Sequence, residues 1–230
     1  MGLFLALSGV IGASEEVVVS SLRNYAAQKN GTFCAEQGEA KYPDVLVISS
    51  NQDRVSILYP EKFYEWDDTS RYLSETLSCP VFSLHIHDGD MWMYLLFKDG
   101  KQIDQFNPIP AYWEEMPEEE QKTWAGNADV IESCVPNLKK EMICNYLKLW
   151  DYEDQSLTKA YPNDEYTYNE CWQLCDFMKC LGLIFPEPTD SGIAKQAYRF
   201  TITKKRPNYK LSTDNIPPNK IPQKPWWKFW

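Results

Sequence analysis

From Leu3 to Ile11 the chain is apolar but for Ser8, the pattern of a strand covered on both faces. Gly12 ends the run. Ser14 stands at an N-cap position, and Glu15 and Glu16 follow where they suit a helix dipole. Val17, Val18, Leu22, Tyr25 and Ala26 then recur at helical spacing until Lys29-Asn30-Gly31 stops the helix. A short strand is expected over Thr32 to Ala35. Next, "DVLVISSNQDRVSILYP" places two β-branched segments around a polar turn, which predicts a hairpin. Asp67 to Ser78 reads as a second helix, with Tyr72, Leu73, Thr76 and Leu77 inward and Asp68 or Thr69 as cap.

Three strands should follow as a meander: Val81 to His87, Met91 to Phe97 and Lys101 to Phe106. Asp88-Gly89 and Asp99-Gly100 separate them, and Asp-Gly between apolar runs is a strong hairpin signal. From Asn107 the chain changes character. Prolines and acids make a connector, with one helical turn expected after Pro117. Asn127 to Cys134 predicts a short helix. Leu138, Met142, Ile143, Tyr146, Leu147 and Trp150 form the apolar stripe of another. Asp164 to Leu181 predicts a third, closed by Gly182. "AYRFTITKK" is a last β-like piece that either returns to the sheet or stands alone. The final stretch lacks periodicity and predicts an extended, mobile tail.

This order predicts an α+β fold: a mostly antiparallel sheet with helices on one face, followed by a helical C-terminal region. A ferredoxin-like βαββαβ core with added strands is compatible with it. Three regions follow: 1–110 as the α+β sheet domain, 111–185 as a helical region that could pack on the sheet, and 186–230 as the β-like piece and basic, aromatic tail.

Charge sharpens the division. Seven basic residues against Asp214 give residues 204–230 a net +6, which leaves −16 for residues 1–203 of a total of −10. So acidic a body repels nucleic acid and anionic lipid, and its natural partner is a basic protein surface. Seven cysteines, four of them scattered and three clustered at Cys171, Cys175 and Cys180, with no CxxC pair, predict free thiols in a reducing, cytoplasmic setting. The apolar N-terminus has no basic residue before it, as a signal peptide would, and Ala6 stands where myristoylation wants Ser or Thr.

The only two histidines, His85 and His87, lie two apart on the first strand of the meander, so they share a face. With Asp90 they could make a three-ligand metal site, and hence a metal-dependent hydrolase. Against that, the Asp-Gly turn already explains its residues, and the pair also reads as decoration on a half-exposed strand. No nucleophile elbow or phosphate loop occurs, and no cofactor is expected. Glu114, Glu115, Glu118, Glu119 and Glu120 form the densest acidic run. Trp226, Trp227, Phe229 and Trp230, interspersed with lysines, make an adhesive aromatic end. Together they predict a non-enzymatic binding or regulatory protein of immunity or adaptor type. Its partner would be a protein with a basic surface or an aromatic-accepting groove, with no nucleic acid and no stable membrane anchoring. A homo-oligomer, or a structural subunit of a larger complex, is also compatible with these features.

Overall fold

The computed structural model describes residues 2–37, 42–151, 158–186 and 196–203. Both Asp-Gly pairs turn the chain as expected. Asp88 and Gly89 take φ of 55° and 79°, and Asp99 and Gly100 take 50° and 73°. Positive φ at both central residues matches the twist of the strands they join.

Eight strands pair antiparallel throughout in one sheet. They are β1 (Leu5–Ile11), β2 (Thr32–Ala35), β3 (Leu46–Asn51), β4 (Arg54–Leu58), β5 (Val81–His87), β6 (Met91–Lys98), β7 (Lys101–Phe106) and β8 (Ala197–Thr201). Their spatial order is β2-β8-β3-β4-β1-β5-β6-β7. β1 is central, pairing with β4 on one side and β5 on the other. The β-like C-terminal piece therefore does return to the sheet. It enters between β2 and β3, with Phe33 opposite Phe200 and Leu46 opposite Tyr198.

Helices α1 (Glu15–Gln28) and α2 (Trp66–Leu77) cover one face. Val18, Leu22 and Leu73 pack there with Val10, Ile48, Ile57 and Val81. The other face is covered too, so "helices on one face" is only half of the arrangement. Phe82, Leu84, Trp92 and Tyr94 pack there with Ile131, Tyr146, Leu174 and Phe177 from the C-terminal region. Coverage on both sides explains why β1 is apolar but for Ser8 and why all of its residues are buried. Gly9 marks how close the layers come. A Cβ there would stand 2.5 Å from Leu183 Cδ1.

The C-terminal region is less helical than its apolar stripes suggest. α3 (Glu118–Lys122), α4 (Ala128–Cys134) and α5 (Gln173–Cys180) are short. α4 matches expectation, with the Asn127 side chain accepting from the N–H groups of Asp129 and Val130. Between Leu138 and Trp150 only a single 3-10 turn forms, at Lys140–Met142. Tertiary bonds replace the helical ladder. Tyr161 donates to the Glu141 carbonyl, Asn145 to that of Ala160 and Tyr168 to that of Asn145. Likewise α5 begins at Gln173, well after Asp164, because the Asp176 carboxylate binds the N–H groups of Glu165 and Tyr166 in a turn. Its end is as expected. Gly182 at φ 76° lets Leu183 N–H reach the Met178 carbonyl and Gly182 N–H reach Lys179, a Schellman cap. The tail residues Trp226, Trp227, Phe229 and Trp230 lie outside the described residues.

Candidate functional site

Alternation along β5 sends Val81, Ser83, His85 and His87 to the α1/α2 face and Phe82, Leu84 and Ile86 to the opposite one. The histidines therefore share a face as their spacing requires. They do not decorate a half-exposed strand, however. His85 is 8% exposed and His87 7%. β5 lies between β1 and β6, and the face expected to be open is roofed by α2 and by aromatic side chains.

The roof is held by buried polar bonds. Ser83 Oγ donates to Asp67 Oδ1 at 2.8 Å, and Ser8 Oγ meets Tyr59 and Ser70 hydroxyls, each at 2.7 Å. Asp67, Ser8 and Ser70 are all buried. In such a setting each bond fixes geometry, because leaving one partner unmatched carries a desolvation penalty. These ties hold the first turn of α2 on the sheet. Trp66, its first residue, then lies against His85 with ring centroids 5.2 Å apart. His87 meets Phe4 edge-on at 5.0 Å and Trp113 at 4.8 Å. The two imidazoles are 5.8 Å apart.

Between these groups opens a cleft of about 490 Å³, a size that suits a small ligand or a large side chain. Phe4, Tyr42, Tyr59, Phe63, Tyr64 and Trp66 form its aromatic wall, His85 and His87 its back, and Glu61 and Asp88 its charged rim. Phe4 and Tyr64 leave 44% and 46% of their surface exposed, so aromatic faces remain available to an incoming group. A second groove of about 310 Å³ continues from it along Pro43, Asp44, Pro60 to Glu65 and Phe200 to Ile202.

Burial sets the charge state of the imidazoles. His85 is pushed down to about 3 by desolvation, with repulsion from His87 adding to it. His87 is also lowered by desolvation, against the pull of Asp88 and Asp90. Both are neutral at pH 7. Neither has a hydrogen-bond partner among the described residues, and a neutral imidazole presents one N–H donor and one nitrogen acceptor. Tyr42 is pushed up to about 12 by burial, then by the Glu61 charge, so its phenol stays protonated.

The other candidates are less convergent. Asp90 accepts from the Tyr112 hydroxyl. Among the described residues, no group of three His, Cys, Asp or Glu side chains is placed to hold a metal ion, so His85, His87 and Asp90 are not assembled as one. Nor, among the described residues, does a free nucleophile stand beside the imidazoles. Ser83 is committed to Asp67. Cys79, buried at the start of β5, has its thiol pushed up to about 11 by burial, with Asp99 adding. Glu114, Glu115, Glu118, Glu119 and Glu120 are all exposed. The run starts directly after Trp113, whose ring packs on His87, so it begins beside the histidine end of the cleft. The cleft walls were missed from sequence. The signal was present in "EKFYEW", three aromatics in four residues between a strand and a helix. Comparison with protein-family models, curated proteins and solved structures finds no match for this chain.

Proposed function

We propose that the protein is a non-enzymatic binding protein, of immunity or adaptor type, that recognises a basic, aromatic-bearing segment of a partner protein. The observation that carries this reading is the aromatic cleft backed by two neutral imidazoles and rimmed by acids. An indole or phenol entering it meets ring faces, and its single N–H or O–H meets an imidazole nitrogen. Lysines beside it meet Glu61 and Asp88, with the Glu114 to Glu120 run extending the negative field. Catalysis is less well supported. An imidazole protonated only in strong acid is a weak base, and no nucleophile accompanies it.

The spatial sequence β3-β4-β1-β5, with α1 and α2 on one face, supports reading residues 5–87 as a ferredoxin-like core to which β2, β6, β7 and β8 are added. Such a core hosts many activities and selects none. All seven cysteines are free thiols, which favours a reducing, cytoplasmic setting.

The test uses the tripeptide Lys-Trp-Lys as probe. It is titrated into the chain carrying Trp226→Ala, Trp227→Ala, Phe229→Ala and Trp230→Ala, so that tail aromatics do not compete. A saturable shift of the His85 and His87 imidazole ¹⁵N signals, weakened by salt, is expected. Unmoved signals at millimolar probe would refute the reading.

A further inference from the structure

Resting on the reading of the cleft as a basic-aromatic binding site, a second question is what occupies it when no partner is present. The described chain leaves the sheet at β8, and its last residues, Phe200 to Ile202, form one wall of the groove that continues into the cleft. The two share Pro60, Glu61, Phe63 and Tyr64. Thr203 holds the exit in place, donating its N–H to the Lys29 carbonyl and its hydroxyl to that of Asn30. Residues 204–230 thus start at the far end of a trough that ends at the histidines.

We propose that this trough is filled in cis by the chain's own Trp226 to Trp230, with the lysines of residues 204–228 following its acidic rim. Length permits it. Twenty-odd residues from Thr203 to Trp226, at about 3.3 Å each, span roughly 70 Å when extended, well beyond a small domain's radius. Charge favours it. Residues 204–230 carry +6, while the trough presents Asp44, Glu61, Glu65 and Asp88 against Lys62. Glu65 is shared with Lys29 at 3.6 Å, so Asp44, Glu61 and Asp88 carry most of the attraction. Chemistry favours it as well. Indoles supply one donor and a large apolar face, and the cleft offers imidazole acceptors among Phe4, Tyr64 and Trp66. Tethering makes the tail a strong competitor, because a short linker presents it at millimolar effective concentration. A partner segment would then bind only by displacing it.

The test places a photoreactive residue, Phe229→p-benzoylphenylalanine, in the full chain. Irradiation at low micromolar concentration should give a monomer-mass product linked to the peptides that contain Phe4, Tyr64 or Trp66. The pair Tyr64→Ala and Trp66→Ala should lower that yield several-fold. The native chain should bind Lys-Trp-Lys about tenfold more weakly than the four-alanine tail variant. Links to a second copy, or to surfaces outside the trough, would overturn the proposal. Equal probe affinity for both chains would do so too, while leaving the cleft reading intact. A probe that bound neither chain, with no link into the cleft, would sink both.

Discussion

At the scale of single residues, the buried imidazoles govern the response to acid. An unfolded histidine takes up a proton near pH 6.5, whereas His85 holds out to about 3. Between those values the unfolded chain binds more protons, so stability is fully present above pH 6.5 and is lost as pH falls towards 3. One such group adds a slope of up to about 1.4 kcal/mol per pH unit. Urea unfolding of the native chain and of His85→Gln, compared from pH 7.5 to pH 4.5, should show the variant with the shallower slope. Trp66→Ala removes a cleft wall but leaves the Asp67–Ser83 bond in place. It should weaken Lys-Trp-Lys binding about tenfold, or about 1.4 kcal/mol, when read in the tail-substituted background. Zinc titration of the full chain should show no stoichiometric uptake, since Asp90 is turned to Tyr112. The shared face of His85 and His87 was legible from their spacing alone. Their burial was not, because the lid comes from Trp66, Phe4 and Trp113, residues 19 to 83 positions away that no local pattern links to β5.

At the scale of elements, turns were more legible than helices. Asp-Gly and Gly182 act through backbone conformations that only a few residue types adopt cheaply, so their placement is a local matter. The apolar pattern at 138–150 is also real, for Leu138, Ile143, Tyr146 and Trp150 are buried, and so is that of the expected helix over 164–181, for Cys171, Leu174, Met178 and Leu181 are buried. Their backbone is satisfied by short turns, such as Ile143 N–H to the Lys140 carbonyl and Tyr146 N–H to that of Ile143, together with side chains from elsewhere. Asp176 illustrates this, holding two N–H groups of a turn about ten residues upstream. Asp176→Ala strands both donors and should cost about 2 kcal/mol in urea unfolding. Gly182→Ala forces a Cβ into left-handed backbone and should cost about 1 kcal/mol in the same assay.

At the scale of the molecule, the uneven charge becomes spatial. The acidic rim at Glu61 and Asp88 opens on the α1/α2 side, and the exit of the basic tail joins it through one groove. Raising salt from about 50 mM to about 500 mM shortens the screening length about threefold and should weaken Lys-Trp-Lys binding several-fold. Among the described residues, no helix is long and apolar enough to cross a membrane.

The late arrival of β8 has a consequence for synthesis. Because it intercalates between β2 and β3, a ribosome-bound chain that has released only its first hundred residues cannot close that half of the sheet. The outer edge of β3 from Leu46 to Ile48 then offers unpaired backbone groups to any neighbouring nascent chain until the final strand is delivered. Slowing translation across residues 110–200 should therefore lower the soluble yield more than the same pause placed earlier.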